Sequence, residues 1–439
     1  MTRVGVIGAG ITGLALTHHL VEHGADPVVF EARDEPGGAV RSRRIDGHVV
    51  EYGPQRVRLT PSLRAISEAV GADDALHTAE SGLPLYVYAD GRLRRVPKSP
   101  REAVTTDLLT WRAKARILLE PFTDDGWNGE TVGEYLTRKF GREVSERYFG
   151  LLYASIYGSD PDEMPMRYSL GSMLTTHGLD DGSILFSVAK RALQGRGTPP
   201  VTTVEGGLQT LPKAIYRAHA DRVHLDTPVE AIRAAGDGYE MTADGETTTV
   251  DRVVVTAPAA VAAEVLADVA PTTAAALDEL HYNPMSEVFL RSDADADGLG
   301  YQVARDADLE TRGVTWNHGM FADGLPARKG VYTVYLGSDP VKWSDDRLGS
   351  VATSEFERVM DADAEVLGVH RLRRGMPAYD RSWEATERID PPEGITFATN
   401  YTARAGIPGR LREAKQVAER LAGDQTSRGE HGTAEKRPA

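Results

Sequence analysis

Three glycines near the N-terminus have the spacing of a turn that binds a pyrophosphate. They follow the apolar run Val4 to Ile7, which predicts a strand buried on both faces, and a helix is predicted from Ile11 to His23. The first glycine lets the chain reverse, the second leaves room for phosphate beside the backbone, and the third lets the helix pack on the strand. Free N–H groups and the helix dipole would then attract negative charge. The predicted dinucleotide contacts are Gly8, Ala9, Gly10, Ile11, Thr12 and Gly13.

An acidic residue stands where a ribose would be bound. Pro27 to Phe30 predicts the second strand, and Glu31 at its carboxyl end would accept hydrogen bonds from the adenosine ribose hydroxyls. A carboxylate there repels a 2′-phosphate, so the dinucleotide is not NADP. A glycine turn alone is weak evidence, but this one lies between a predicted strand and a predicted helix, with the acid at the expected distance. On these residues NAD and FAD remain equal candidates.

Length and composition limit the class of protein. A chain of 439 residues is too long for one simple core and predicts two or three lobes. The absence of cysteine excludes disulfides, thiolate metal sites and a cysteinyl–flavin bond. The twelve histidines, including His18 and His19 on the first helix, have no metal-ligand spacing, so no metal is expected. A net charge of −15 argues against nucleic acid as a partner, because phosphate binding needs a basic surface.

The charged residues and the N-terminus indicate habitat and location. Nine of the fifty basic residues are lysine and the others arginine, and acidic segments such as Asp293 to Asp297 are frequent. This composition is typical of a salt-adapted archaeon, although a GC-rich genome gives the same arginine bias. No segment has the length of a transmembrane helix, and the first strand starts at once, which leaves no room for a signal peptide. We therefore expect a cytoplasmic protein.

The remaining secondary-structure pattern is discontinuous. A helix is predicted for Pro61 to Leu76, a hairpin for Leu85 to Val96, a mostly helical region for 100–193 and a linker for 195–200. Farther on, four short strands predict a β-meander, a fifth returns to the nucleotide-binding sheet, and two more belong to a second lobe. These strands are Val223 to Leu225, Val229 to Ile232, Tyr239 to Ala243, Thr247 to Val250, Arg252 to Thr256, Ser286 to Arg291 and Gly330 to Leu336.

Two segments after the turn resemble the FAD-dependent amine oxidase superfamily, which includes amine oxidases, carotenoid desaturases and porphyrinogen oxidases. They are Glu31 to Ser42 and Glu51 to Pro54. In that superfamily a glycine pair runs under the isoalloxazine side of the flavin and a Gly-Pro loop lies near it, where only a bare backbone comes close to a flat ring. The resemblance therefore favours FAD. The further cofactor contacts that it implies are Glu31, Ala32, Arg33, Gly37, Gly38, Ala39, Arg41, Gly53, Pro54, Gln55, Arg56 and Val229.

Nearly the whole chain resembles the protoporphyrinogen and coproporphyrinogen oxidases in particular. Ala398 to Tyr401 stands where amine oxidases have a Gly-Glu-x-Thr element. Thr399 replaces the family's usual glycine, and Arg410 to Arg412 replaces small residues at the start of the last helix. The implied flavin contacts in this loop are Asn400, Gly406, Ile407 and Pro408. The segments that match the family in order are Gly53 to Arg58, Leu93 to Pro100, Lys114 to Phe122, Tyr153 to Met164, Thr203 to Pro212 and Asn400 to Pro408.

The resemblance implies an α/β fold with two domains, like that of p-hydroxybenzoate hydroxylase. A Rossmann-like FAD-binding domain would carry an α+β substrate domain, inserted twice, and a helical lobe. A polar C-terminal tail is expected to be disordered. The expected segments are 1–80, 200–258 and 378–423 for the FAD-binding domain, 81–99 and 259–377 for the substrate domain, 100–195 for the lobe and 424–439 for the tail.

The resemblance also implies the reaction. In the family a porphyrinogen loses six electrons in three rounds of hydride transfer to flavin N5, and oxygen or another acceptor reoxidises the flavin. The cofactor carries the chemistry, so no catalytic side chain is expected, and the protein orients the substrate and excludes water. Arginine suits the substrate's propionates because it pairs with carboxylates in a bidentate geometry. The candidate clamps are Arg58 and Arg101, and the candidates for lining the pocket are Tyr153, Tyr157 and Met164.

Three functions stay open on the sequence. The first is a porphyrinogen oxidase, and the second is another flavin enzyme of the superfamily, such as a carotenoid desaturase or an amine oxidase. The third is a flavin-free binding protein, because Rab GDP-dissociation inhibitors have the same architecture and glycine turn, and fold alone does not settle function. Glu31 with Gly37 and Gly38 favours a bound flavin. Some relatives touch a membrane through the helical lobe, so a peripheral membrane contact is a further candidate.

Overall fold

The computed structural model of the protein describes most of the chain. Tyr153, Tyr157 and most of the predicted linker at 195–200 lie outside the described part. Within the described part, no helix is long and apolar enough to cross a membrane. The described residues are 1–124, 126–127, 129–151, 158–176, 178–179, 182–193, 199–321, 324–403 and 406–432.

A five-stranded parallel sheet forms the base of the nucleotide-binding domain. Its central strand is buried on both faces, as the β-branched residues predict, and the helix Ile11–Glu22 returns the chain to the neighbouring strand. Gly24, with a φ of +76°, ends that helix in the left-handed conformation. Helices Thr210–Ala218 and Ile407–Gly432 pack beside the first helix. The strands, in their order across the sheet, are Val223–His224, Asp26–Phe30, Arg3–Ile7, Arg252–Val255 and Ile395–Phe397.

A three-stranded antiparallel sheet covers the opposite face of the parallel sheet. Its Met241 packs against Gly5 so closely that a Cβ on the glycine would lie 2.2 Å from the sulfur. The predicted meander is confirmed for these strands but is wrong for Val223 to Leu225, which pairs in parallel with Asp26–Phe30. The preceding helix carries this segment into the parallel sheet, as a helix between parallel strands usually does. The three strands are Val229–Ala235, Gly238–Ala243 and Glu246–Val250.

A seven-stranded, mostly antiparallel sheet forms the second large layer. The predicted hairpin turns at Asp90 and Gly91, both with positive φ as the Asp-Gly pair predicts, and it joins the strands of the later insertion in one sheet. Helix Asp345–Met360 covers one face of this sheet through its apolar side. The strands in order are Ala364–Pro377, Tyr282–Ser292, Val331–Leu336, Thr311–Trp316, Gly300–Val303, Tyr86–Ala89 and Arg92–Arg95.

Two small sheets connect the nucleotide-binding domain to the second layer. One is a hairpin of two strands, and the other has three short antiparallel strands that bring distant parts of the chain together. Their strands are Ser42–Ile45 with His48–Glu51, and Val57–Arg58, Val201–Val204 and Leu76–Thr78.

Residues 100–193 are mostly helical where the structure describes them, as predicted. Thr131 and Glu134 form a capping box: the Thr131 hydroxyl accepts a hydrogen bond from Glu134 N at 3.2 Å, and the Glu134 carboxylate accepts one from Thr131 N at 2.9 Å. The helices here are Pro100–Thr105, Trp111–Ile117, Val132–Phe140, Arg142–Val144, the π-helical Ser145–Phe149, Leu170–Thr176 and Ile184–Leu193. The other helices are Pro61–Ala69, Ala259–Leu266, Pro271–Asp278 and Asn317–Phe321.

Two predicted element ends are wrong. The helix that starts at Pro61 ends at Ala69 instead of Leu76, because Gly71 takes a φ of +65° and Leu76 opens a strand. The last helix continues to Gly432, through the first part of the tail that we expected to be disordered from 424. Extending an existing helix costs far less than starting one, so a polar composition does not end it. Residues 433–439 lie outside the described part.

Candidate functional site

The nucleotide turn, residues 8–13, has the geometry that its glycines predict. Gly8 has a φ of +102°, and a Cβ on Gly13 would lie 2.0 Å from Gly8 O, so these two glycines are required by the fold itself. Gly10 differs: among the described residues, the nearest atom to a Cβ there is Gly38 Cα at 3.8 Å. Gly10 caps the first helix without a side-chain hydrogen bond to the cap. The turn therefore leaves room and open N–H groups for a phosphate.

The Gly-Gly loop, residues 36–41, lies directly against the nucleotide turn. Gly37 N donates a hydrogen bond to Ala9 O at 2.9 Å, and Gly37 forms a parallel bridge with Gly10. Gly37 and Gly38 have φ values of +125° and +61°, and a Cβ on Gly38 would come within 3.0 Å of Gly10 Cα. The glycine pair is thus needed for the close approach of the two loops. Together they form one continuous bare-backbone surface.

Glu31 fixes the turn from the end of the second strand. One carboxylate oxygen accepts a hydrogen bond from Ala9 N at 2.7 Å, and the other accepts one from Arg33 N at 3.0 Å. Arg33 Nη1 donates to Gly38 O at 3.0 Å, and the segment leading to Val229 bonds to the backbone of Glu31 through Thr227 N. The predicted ribose-binding acid is therefore buried beside the turn.

Five distant segments meet at one small apolar cavity. Ile11 of the nucleotide turn, Val40 of the Gly-Gly loop, Val57, Leu208 and Ile407 all line it. Ile407 begins the last helix, so the C-terminal loop that the sequence predicted as part of the flavin site does lie beside the turn. The described part of the chain brings the predicted cofactor segments together.

The Gly-Pro loop, residues 53–56, is held by the two neighbouring layers. A Cβ on Gly53 would lie 2.1 Å from Ala39 O, so only glycine fits beside the Gly-Gly loop. The Gln55 amide nitrogen donates to Gly53 O at 3.0 Å. Its oxygen accepts hydrogen bonds from Asn317 Nδ2 at 3.2 Å and Thr333 Oγ1 at 3.0 Å. Gln55, predicted to be a cofactor contact, therefore fastens the loop to the seven-stranded sheet.

The bulky residues of the C-terminal loop bond to one another. Thr399 is buried, and its N donates to the Thr402 hydroxyl at 2.9 Å, which donates in turn to Glu413 at 2.8 Å. Arg410 Nη1 pairs with Glu413 at 2.5 Å. Asn400 Oδ1 accepts a hydrogen bond from the Tyr282 hydroxyl at 2.8 Å. The departures from the family at Thr399 and Arg410 are thus accommodated as one buried network.

The seven-stranded sheet has a polar face and an apolar face. Val288, Val314 and Val334 belong to the apolar cluster of the face that packs on helix Asp345–Met360. On the other face, successive cross-strand partners in five strands form a row that is buried or half-buried and largely polar. We call this row the polar face; it consists of His370, Glu287, Tyr335, Gly313 and Gln302.

Burying a row of polar side chains costs free energy, and side-chain packing alone does not explain why the fold accepts that cost. Gln55 and Thr333 join the face to the Gly-Pro loop, so the row lies at the junction between the two layers. Ligand sites occur preferentially at such junctions. The polar face is therefore the candidate substrate surface, and no single segment of the sequence pointed to it.

Burial shifts the pKa of two titratable groups of the polar face toward their neutral forms. His370 Nδ1 lies 3.2 Å from a Glu287 carboxylate oxygen, and the ring stacks on Tyr52 at 4.1 Å between centroids. Burial, together with the charges of Arg41 and Arg43, lowers the pKa of His370 to about 4. Burial also raises the pKa of the Glu287 carboxyl well above its usual range, and the nearby Glu51 adds to the effect.

This lowered pKa predicts how stability depends on pH. As the pH falls below about 6.5, the unfolded chain protonates this histidine while the folded protein does not, so stability is lost from there down to about pH 4. The free energy of unfolding should fall between pH 7 and pH 5. We expect His370→Gln to reduce this fall by about 2 kcal/mol. Urea unfolding of both proteins at the two pH values measures it, with His23→Gln at the surface as the control. An equal pH dependence in wild type and His370→Gln would contradict the lowered pKa.

A buried ion pair that the sequence did not indicate lies close to the candidate site. Glu51 and Arg328 are both almost completely buried and pair directly. Glu51 also accepts hydrogen bonds from the Ser42 hydroxyl at 2.5 Å and from Leu208 N at 3.0 Å. Arg328 Nη2 donates to the Thr203 hydroxyl at 3.2 Å. Only the position of Glu51 directly before the Gly-Pro loop hinted at its role.

The two predicted substrate clamps are not in the polar face. Arg58 and Arg101 are exposed, and Arg58 Nη1 donates to Pro199 O at 3.0 Å. In the strand Val57–Arg58 the side chains alternate, so the buried Val57 leaves Arg58 toward the outside. The sequence assigned Arg56 to the cofactor. Arg56 is half-buried, and Tyr335 of the polar face influences the pKa of its guanidinium. The role of Arg58 and Arg101 as clamps for substrate carboxylates therefore stays a prediction.

Three residues on the first helix form the one cluster of potential metal ligands found in the described part of the chain. His19 Nδ1 lies 2.8 Å from Glu22, and His18 Nδ1 lies 3.1 Å from His219 Nε2. Burial lowers the pKa of both His18 and His219, so the two rings are neutral at pH 7 and share one hydrogen bond. These contacts satisfy the histidines by packing on the neighbouring helix.

The arrangement around the nucleotide turn fits FAD. The space beside Gly10 and the open helix start suit a pyrophosphate, and Glu31 is placed for the ribose. The Gly-Gly and Gly-Pro loops offer bare backbone to a flat ring, with the polar face beyond them. Ala39 of the first loop meets Gly53 of the second, so both border the same space.

Comparisons with known proteins identify the relatives of the chain. The sequence model of the family described as "Flavin containing amine oxidoreductase" matches residues 11–422. Protoporphyrinogen oxidase 2 of Arabidopsis thaliana is 26% identical, over 92% of this chain and 90% of the relative. Coproporphyrinogen III oxidase of Bacillus subtilis (strain 168) is 25% identical, over 86% and 87%. The crystal structure of a candidate protoporphyrinogen oxidase from Exiguobacterium sp. 255-15 has a TM-score of 0.80 at 22% identity, over 96% and 99%.

Proposed function

Since the chain belongs to the flavin containing amine oxidoreductase family and is an FAD-dependent oxidoreductase, we propose that its substrate is a porphyrinogen, either protoporphyrinogen IX or coproporphyrinogen III. The observation that carries the proposal is the match to two named porphyrinogen oxidases over more than four fifths of each chain. The buried polar face supports it, because a substrate with carboxylates and pyrrole N–H groups offers partners for such a surface.

The chain's own residues would hold the reactants and exclude water. The nucleotide turn and Glu31 would hold the dinucleotide end of FAD, and the Gly-Gly and Gly-Pro loops would border its ring. When bound, FAD supplies the acceptor for a hydride. Each of three rounds removes one hydride and one proton from the porphyrinogen, and oxygen or another acceptor takes the electrons onward. Burial favours the neutral forms of Glu287 and His370, which lowers the charge of the polar face where the substrate ring would lie.

The alternatives fit these residues less well. A protonated amine would meet the charge of Arg56 rather than a carboxylate, and a carotenoid would leave the buried polar groups without partners. The flavin-free binding protein is set aside because the family is one of flavin-containing oxidoreductases.

The test is direct oxidation of the two porphyrinogens. Purified protein loaded with FAD is mixed with each porphyrinogen, and porphyrin fluorescence is followed against a sample without protein, which corrects for spontaneous oxidation. We expect faster porphyrin formation with at least one of them. Fluorescence at the rate of the protein-free sample with both would overturn the proposal, and turnover of a carotenoid precursor or an amine instead would assign the enzyme to another branch.

We also propose a peripheral membrane contact by the helical lobe. Large apolar side chains more than two thirds exposed lie on it, and Arg112 stacks over Trp111 at 5.5 Å. Ile184 N donates to Glu120 at 3.0 Å, which holds the helix of Phe186 against the segment of Phe122. An aromatic group beside basic residues suits an anionic lipid surface. The exposed apolar residues are Val104, Trp111, Leu118, Phe122 and Phe186.

Flotation with lipid vesicles tests this contact. We expect the protein to rise with vesicles that contain anionic lipid, and the Trp111→Ser/Phe122→Ser variant to bind them at least about 10-fold less, because two large apolar side chains are lost. Val366→Ser, at an exposed apolar residue of the seven-stranded sheet, is the matched control. If the wild type stays in the protein fraction, the proposed contact is wrong.

A further inference from the structure

Arg56 is a rigidly placed arginine between two fixed residues. Gln55 before it is hydrogen-bonded to Asn317 and Thr333, and Val57 after it is buried in a strand paired with Thr202. Its backbone therefore has little freedom. Burial lowers the pKa of the Arg56 guanidinium, and Tyr335 of the polar face is close enough to influence it. Arg56 thus lies in the Gly-Pro loop next to Gln55, which is hydrogen-bonded to Thr333 in the strand that carries Tyr335.

No carboxylate in the described part of the chain forms an ion pair or a hydrogen bond with Arg56. Arg328 pairs with Glu51, and Arg410 pairs with Glu413. Arg56 is half-buried, and removing a cation even partly from solvent costs free energy unless it is paired. The Arg56 charge is therefore kept at a cost that the fold does not recover by itself.

Two further cations lie near Arg56 in a protein of net charge −15. Arg58 influences the pKa of Arg56, and both influence that of Lys98, which is lowered mainly by burial. Their side chains bond to backbone carbonyls: Arg58 to Pro199 O and Lys98 to Leu83 O. Three mutually repelling cations, of which the inner one has no acidic partner, indicate a site for an anion. We call Arg56, Arg58 and Lys98 the cationic entrance.

We infer that Arg56 binds a carboxylate of the substrate at the edge of the polar face, and that Arg58 and Lys98 attract further carboxylates from outside. This inference rests on the proposed function and defines the substrate class as a tetrapyrrole with free carboxylates. Arginine can hold one carboxylate through two parallel hydrogen bonds, which also fixes the ring's orientation.

Binding of the oxidised product tests the inference without requiring turnover. Coproporphyrin III and its tetramethyl ester are titrated into the FAD-loaded protein, and the quenching of porphyrin fluorescence gives each Kd. We expect the wild type to prefer the free acid, and Arg56→Met to bind the acid about 10- to 100-fold more weakly while its affinity for the ester is unchanged. Arg217→Met removes an exposed arginine of helix Thr210–Ala218, outside the cationic entrance, and we expect it to change either Kd less than 2-fold.

Each outcome decides between roles for Arg56. Equal binding of the acid by wild type and Arg56→Met would overturn the inference, and so would loss of FAD from the variant, because Arg56 would then serve the cofactor. If Arg56→Met does not fold, Arg56→Lys decides: a folded variant that binds the acid as well as wild type overturns it, and weaker binding supports it. Failure of the proposed function is distinct, because porphyrinogen oxidation would then be absent in the wild type itself.

Discussion

Gly10→Val is expected to abolish retention of FAD while leaving the fold intact. Gly10 has an extended backbone that any residue adopts, with φ −69° and ψ 175°, and a Cβ there meets Gly38 Cα only at 3.8 Å. The protein therefore tolerates the first added atom. The branched side chain would fill the space beside the open helix start that the pyrophosphate needs. We expect the visible flavin absorbance of the purified variant to disappear and the Kd for added FAD to rise at least about 100-fold.

Two other glycines separate this effect from misfolding. Gly13→Val would place its Cβ 2.0 Å from Gly8 O, so we expect this variant to lose its folded circular dichroism spectrum. At Gly126 the nearest atom to a Cβ is Asp124 Oδ1 at 4.0 Å, and Gly126→Val should keep both fold and flavin. A Gly10→Val variant that is folded and yellow would show that the pyrophosphate lies elsewhere.

The nucleotide turn could be predicted because its information is local. Gly8 and Gly13 are dictated by backbone conformation and helix packing within a few residues, and Glu31 follows at a fixed distance set by one helix and one strand. The hairpin at Asp90-Gly91 was predictable for the same reason. In these places the sequence signal and the structure concern the same short segment.

The polar face could not be predicted because it is assembled from five strands that are far apart in the sequence. Glu287 and His370 each look like one polar residue in an alternating strand, which usually means exposure to solvent. Only the order of the strands places them side by side and covers them with the nucleotide-binding domain.

The short strand Val223–His224 illustrates a different limit. Its residues alternate like those of the meander that follows, and only the helix before it indicates the parallel sheet. Local alternation of apolar and polar residues identifies a strand but not the strand that it pairs with. The existence of this strand was therefore predictable, and its pairing was not. The same limit applied to Glu51 and Arg328, whose contact joins positions 277 residues apart.

Glu51→Gln is expected to lower the free energy of unfolding by about 3 to 5 kcal/mol. The substitution keeps the size of the side chain but leaves the Arg328 guanidinium charged and without its acid, and one of its nitrogens, Nη1, already has no hydrogen-bond partner in the described structure. An uncompensated buried charge costs this much, whereas an intact buried pair contributes little net stability. Urea unfolding followed by circular dichroism, without added FAD, measures the change.

The double variant Glu51→Gln/Arg328→Met distinguishes a lost pair from a damaged core. Removing both charges also removes the unpaired cation, so we expect the double variant to be more stable than Glu51→Gln alone, with the two effects clearly non-additive. Glu279→Gln breaks the exposed pair with Arg388 and should leave stability unchanged within error, because solvent screens such pairs. If the double variant is less stable than Glu51→Gln, Arg328 stabilises the fold through its other contacts, such as the hydrogen bond to the Thr203 hydroxyl, rather than through its charge pair with Glu51.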